Sequence, residues 1–229
     1  DFRRVLFRSY LSAAPYFQSC AQIARGAEPH TVGFATSVWV LCQLRAGKEP
    51  ESLVAVLESP DIGIPQTRKD RAFAIQLCVA IGVQAEVYYR MGRFADAWKL
   101  VEEEMRVVEA GHHTYFYRPG AEAHTQAALV VFGLWERVLQ QSIEGVPSAS
   151  VLREQAARAI RHLRKGAFIF PAVLGRKLLF EGVFARIDGK KGRARQRLLA
   201  AHQEAERASF PWEQVVSSVE LAQIGRAHV

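Results

Sequence analysis

The sequence predicts an all-α fold assembled from antiparallel helical hairpins. Three observations predict it. Apolar residues recur at three- and four-residue spacing through most of the chain, clear strand alternation is absent, and glycine and proline cut the chain into segments joined by short turns. Loops of two to six residues between antiparallel helices are what bundles and stacked helical hairpins use.

Each element follows from its punctuation. A first helix runs from about Leu11 to Arg25 and stops at Gly26 and Pro29. A second runs from about Thr31 to Ala46 and ends at Gly47; a third spans Pro50 to Glu58. Pro60 to Pro65 is a connector, with Gly63 between two prolines. A long helix follows from about Thr67 to Met91, ended by Gly92, and its partner runs from Phe94 to Ala110. Gly111 to Gly120 is the least helical stretch and is dense in histidine and tyrosine. Helix resumes from about Ala121 to Ile143, until Gly145 and Pro147 break it. Ser148 or Ser150 caps a helix that reaches about Lys165. Two hairpin helices then span about Pro171 to Asp188 and Gly192 to Ser209, and a last helix opens at Pro211, a favoured first position.

Two of these hairpins share a pattern. With Gly92 aligned to Gly189, Ala85 and Gly182 fall seven residues earlier, and Tyr88 and Ala185 four earlier. Ala97 and Ala194 fall five residues later, Val101 and Leu198 nine later. Small residues thus occupy the positions where paired helices cross, which predicts close approach of Ala97 to Ala85 or Tyr88, and of Ala194 to Gly182 or Ala185. The stretches 85–97 and 182–205 resemble the tetratricopeptide family, whose unit is a helix pair of roughly 34 residues. Several helices here are longer than that unit allows. The resemblance therefore implies a tetratricopeptide-like α-solenoid with irregular repeats, in one domain over residues 10–223 with a softer division near 111–120.

The C-terminal block carries a second resemblance. Phe170-Pro171, Gly175-Arg176, Leu179, Gly182, Gly189-Lys190, Ala194, Ala205 and Phe210-Pro211-Trp212-Glu213 succeed one another in a recurring order. This is similar to the helical region that follows the ATPase module in bacterial signal-transduction ATPases with numerous domains, often joined to a Ser/Thr kinase, histidine kinase or nucleotide cyclase domain. There the last motif is Pro-Tyr-Glu; here Trp212 replaces the tyrosine, and Val216-Ser217-Ser218 stands on a face that is usually alanine-rich. The resemblance implies a regulatory, protein-binding segment in the cytoplasm, its partner another protein or a neighbouring domain of the same chain, without catalytic residues or a cofactor of its own.

Composition agrees with a packed domain: 49% of residues are apolar and 23% charged, which is ample for a core. No window approaches the roughly 18 uninterrupted apolar residues a membrane span needs, and no secretory leader pattern is present. Cys20, Cys42 and Cys78 are widely spaced among apolar neighbours, which predicts small core residues and a reducing compartment. The net charge of +7 is inflated by the ends. The codons ATC GGA AGA GCA CAC GTN encode residues 224–229, and CGT GTG CTC TTC CGA TCT encode residues 4–9; the reverse complement of the second string overlaps the first. One sequencing-library adapter, translated from opposite strands, accounts for both, so residues 1–9 and 224–229 are expected to be adapter-derived tails with few buried contacts. They hold Arg3, Arg4, Arg8 and Arg226 against Asp1, a net +3, which leaves +4. That is mild for a polyanion partner.

Phosphate-cradling and nucleophile-elbow motifs are absent from the sequence. Gly189-Lys190-Lys191-Gly192 is a short turn with no Ser/Thr to hold magnesium. His112, His113 and His124 supply three imidazoles, part of a zinc set, but adjacent histidines point apart and no carboxylate or thiolate completes it. A packed aromatic loop is the preferred reading over a metal or enzyme site in 112–124. Glu102-Glu103-Glu104 reads as the solvated face of a helix rather than an acid–base pair. Arg186, Lys190, Lys191, Arg193, Arg195 and Arg197 gather at a hairpin turn without the interleaved aromatics that stack bases. A solvated turn is the plain reading. Contact of Lys190, Lys191, Arg193 and Arg197 with an acidic protein surface is the functional one, ahead of nucleic-acid binding.

Overall fold

The structure is a computed structural model, and it describes residues 10–24, 29–59, 74–110 and 118–226. Among these residues every regular element is helical. In chain order they are α1 (Tyr10–Ala24), α2 (Pro29–Arg45), α3 (Glu51–Glu58), α4 (Ala74–Arg90), α5 (Phe94–Ala110), α6 (Arg118–Gln140), α7 (Ala149–Ile169), a 3-10 turn (Pro171–Val173), α8 (Leu174–Ile187), α9 (Lys191–Ala208) and α10 (Pro211–Arg226). None of the described helices is long and apolar enough to cross a membrane.

The boundaries follow the punctuation to within a turn or so; α2 takes in Pro29, α6 stops at Gln140 short of Ile143, and three further differences have a local cause. α7 runs on to Ile169 through Gly166, which costs a helix about 1 kcal/mol beside alanine but is buried here. Pro171 opens a 3-10 turn before α8 rather than α8 itself. α6 begins at Arg118, since Pro119 is tolerated in a first turn where its missing N–H would be unpaired anyway. Residues 60–73 and 111–117, which include the start of the expected Thr67 helix and most of the histidine-rich loop, lie outside the described residues.

The helices lie in two layers. α2, α4, α6, α8 and α10 pack in succession, each on the next, while α1, α5, α7 and α9 cover them as hairpin partners. α5, α7 and α9 each also touch the following inner helix, so these three seal seams between inner helices. Burial reflects this position. In α4 every residue from Leu77 to Tyr88 is buried, as expected of a helix enclosed on all sides. In α9 only Ala194, Leu198, Ala201 and Ala205 are buried, a single stripe at helical spacing. α4 also joins two apolar clusters: Leu77, Ile81 and Ala85 face α6 and beyond, and Cys78, Val79 and Val83 face the N-terminal helices.

Four turns end their helices in the same way. At Gly47, Gly92, Gly189 and Ser209 the backbone adopts φ of +86°, +77°, +76° and +57°. The following residue donates its N–H five residues back: Lys48 to Gln43, Arg93 to Tyr88, Lys190 to Ala185 and Phe210 to Ala205, at 3.1, 2.9, 2.7 and 2.8 Å. This 6→1 bond with a left-handed residue is the Schellman motif, which satisfies carbonyls the helix leaves open. Ser209 does it against the Cβ clash that glycine escapes.

The two aligned hairpins match further. Gly92 N–H donates to the Tyr89 carbonyl, Phe94 N–H to Gly92 and Ala97 N–H to Arg93; Gly189, Lys191 and Ala194 repeat this on Arg186, Gly189 and Lys190. Ala85, Ala97 and Ala194 are completely buried, Ala185 is 2% exposed and Tyr88 8%. The closest neighbour of Gly182, however, is Leu198 rather than Ala194: a Cβ on Gly182 would stand 2.6 Å from Leu198 Cγ and 3.2 Å from its backbone nitrogen. An antiparallel hairpin that sets Gly182 against Leu198 sets Ala185 near Ala194, the second of the two partners the alignment allows.

Two further expectations need correction. Cys42 and Cys78 are buried, but Cys20 is exposed on α1, which packs chiefly on α2. At the C-terminus the expected tail begins inside α10: Ile224 is only 7% exposed and joins the main core. It falls one turn after Leu221 and two after Ser217 on the inward face, and helical spacing buries it whatever its origin.

Candidate functional site

The basic turn predicted to meet a partner is the mouth of a groove. Lys190 and Arg193, at the start of α9, face Arg161 and Arg164 on α7 across a cavity of about 230 Å3. Its floor is apolar, from Ala157, Ile160, Phe184 and Ala185. One acid lines it: Glu181, 7% exposed. Arg164 and Arg197 share this carboxylate at 3.2 and 3.3 Å. Lys190 is held by Asp188 at 2.7 Å, and Asp188 also takes Arg153 at 2.7 Å. The hydrogen bond from Arg153, then that from Lys190, holds the Asp188 carboxyl down to about 2. Lys191, Arg193 and Arg195 are exposed. α9 has no side-chain cap and no acid in its first turn. Cations there oppose the helix dipole at about 0.3–1 kcal/mol each at low ionic strength.

Arg186 does not belong to this cluster. It points the other way, donating to Glu136 of α6 at 2.5 and 3.2 Å and to Glu220 of α10 at 2.5 Å. Burial raises the Glu220 carboxyl above its ordinary range, against the pull of Arg186. Position in the helix explains the separation: Arg186 lies before the turn, on the face of α8 that meets α6 and α10.

That face opens on a second cavity, of about 300 Å3, lined by all five inner helices. Phe132, Leu179, Phe180 and Val183 form its apolar wall. At the other side Arg45 of α2 donates to both oxygens of Glu86 at 2.8 and 3.1 Å and to Gln126 at 2.8 Å, and lies 4.3 Å over the Trp212 ring. Arg90 adds a third donor to Glu86 at 2.7 Å. Each arginine here has its carboxylate, so the lining is internally neutralised. Sequence reading missed this network because its hydrogen-bonded pairs, Arg90 with Glu86 excepted, are 34 to 81 residues apart. The local signals are Glu86 within a run of apolar residues and Arg90 one turn after it.

The recurring C-terminal motifs meet physically. Arg176, beside Gly175, donates to Glu213, beside Trp212, at 2.6 Å, with side chains only 8% and 3% exposed.

Of the histidine cluster, His112 and His113 lie outside the described residues. His124 is buried in α6, its Nδ1 3.2 Å from Glu104 of α5, and its ring stacks on His162 of α7 at 5.4 Å. Among the described residues no three His, Cys, Asp or Glu side chains gather as a metal set. Glu104 is completely buried, not solvated as expected; it continues the inward stripe of Val101, Met105 and Val108. Burial, reinforced by Glu104 and Glu103, pushes the Cys78 thiol well above its usual range.

Burial first, then the charge of His124, Lys165, Arg158 and Arg161, pushes His162 down to about 4 from 6.5. Between those values the unfolded chain binds more protons than the folded one. Stability should therefore fall as pH drops from 6.5 towards 4 and level off below. With part of the ring exposed, the loss is on the order of 1–2 kcal/mol. Urea midpoints measured across this window should decline for the native chain and stay flatter for His162→Gln; equal slopes would remove His162 as the cause.

No protein-family model matches the chain, and neither a curated protein nor a solved structure matches it.

Proposed function

We propose that the chain is a non-catalytic, tetratricopeptide-like solenoid segment of a multidomain bacterial signal-transduction ATPase or kinase. In this reading it binds protein, senses a partner and holds neighbouring domains in an inactive arrangement. The observation that carries the reading is the repeated hairpin: Gly92 and Gly189 sit in the same left-handed turn with the same backbone bonds, between buried small residues. Stacked hairpins present long surfaces whose repeat interfaces can flex, which suits a sensor. The bonded pair of Arg176 and Glu213 supports it further, since it joins two motifs of the signalling-protein resemblance.

A nucleotide site needs a row of free backbone N–H groups with a lysine in reach. The turn at Gly189 spends two of its N–H groups on Arg186 and Ala185, and Lys190 on Asp188. The purified chain should show no thermal shift with Mg-ATP and no hydrolysis above a buffer blank. A shift that disappeared on charge reversal of Lys190, Lys191 and Arg193 would overturn the reading.

A further inference from the structure

We infer that the groove between α7 and the start of α9 is a docking site for an acidic protein segment that carries one large apolar side chain between its carboxylates. This rests on the protein-binding reading above and names the partner's chemistry. Four cations, Arg161 and Arg164 on one wall and Lys190 and Arg193 on the other, surround the cavity. The single acid in the lining, Glu181, is already shared by Arg164 and Arg197. Arg161 and Arg193 make no ion pair with the described residues, and both are exposed. Folding does not account for that excess. Arg193 adds positive charge to an uncapped helix N-terminus, where the backbone already favours an anion. Carboxylates arriving from outside would relieve both.

The floor decides between a peptide and a nucleic acid. It is made of Ile160, Ala157, Ala185 and Phe184, and the volume of about 230 Å3 suits one leucine- or phenylalanine-sized side chain. Phe184 is the sole aromatic ring in the lining. It is already packed on Trp135 at 5.2 Å and Phe132 at 6.4 Å, with Arg153 5.3 Å above it. Successive bases would find no row of free rings to stack on. An apolar anchor ringed by charge is how a rim of cations adds specificity to a buried contact.

The test uses the full 229-residue chain and three fluorescein-labelled probes. They are a glutamate-rich peptide with one central leucine, the same peptide with serine for leucine, and an oligothymidylate of equal net charge. Anisotropy should show binding of the leucine peptide that weakens with salt. Arg161→Glu and Arg193→Glu should each weaken it roughly tenfold, as should serine in the peptide. Ala157→Phe, which fills the groove without changing charge, should abolish it, while Lys48→Glu, on the distant α2–α3 turn, should leave it within about twofold. Thermal melts check that each variant folds, and the serine peptide tests the anchor with the protein unaltered. The inference is overturned if the oligothymidylate binds as tightly as the peptide. It is overturned equally if no peptide binds, or if binding ignores both the leucine and Ala157→Phe. Loss of peptide binding without any response to Mg-ATP removes the groove alone. A Mg-ATP response with peptide binding intact removes the non-catalytic reading and leaves the groove.

Discussion

Arg176→Met is expected to lower stability by about 3–5 kcal/mol, the cost of leaving a buried charge without its partner. Arg176 and Glu213 bind at 2.6 Å between α8 and α10, and Glu213 is 2% exposed. Methionine roughly preserves the packing of the arginine stem but strands the carboxylate away from water. For a chain of this size the melting midpoint should fall by roughly 6–20 °C. The double variant Arg176→Met with Glu213→Leu removes the orphan and should recover most of the loss. If single and double variants melt together, the pair is not what holds α8 to α10.

Two glycines in one helix should respond to alanine with opposite signs. In an exposed or roomy helical position, glycine to alanine gains about 0.5–1 kcal/mol by limiting the unfolded chain. Gly175 has that room: a Cβ there meets Glu204 and Ala205 at 3.7–4.0 Å, ordinary contact. Gly182 does not. Its Cβ would overlap Leu198 Cγ at 2.6 Å and press the backbone at 3.2 Å, and Leu198 is itself completely buried. Gly175→Ala should therefore stabilise, while Gly182→Ala should cost about 1–3 kcal/mol. Denaturant midpoints at unchanged slope would show it. A stabilised Gly182→Ala would mean that α8 and α9 can part at this crossing.

These pairs show which parts of the molecule are legible in sequence. The hairpins were, because a glycine that must adopt positive φ stands at Gly47, Gly92 and Gly189, with apolar spacing on both sides. Ser209 hides the same turn, since nothing in a lone serine announces a left-handed residue. The basic groove was half legible. Lys190 and Arg193 are near neighbours in the chain, but Arg161 and Arg164 reach them only through the packing of α7 on α8. Arg186 was misassigned for the converse reason: adjacency in sequence placed it with the turn, and helix phase sent it to Glu136 and Glu220. Glu104 looked solvated as one of three glutamates. Its place on the stripe with Val101 and Met105 is the sign that it turns inward.

The stacking of Arg45 on Trp212 has a mechanical side. α2 opens the inner row and α10 ends it, and this one guanidinium, fixed by Glu86 and Gln126, touches the ring at the far end. An open row of hairpins stretches like a spring, since each joint yields independently. A row whose first and last members touch is a closed loop: drawing α2 away from α10 must break the cation–ring contact, worth about 0.5–2 kcal/mol, while the inner seams widen.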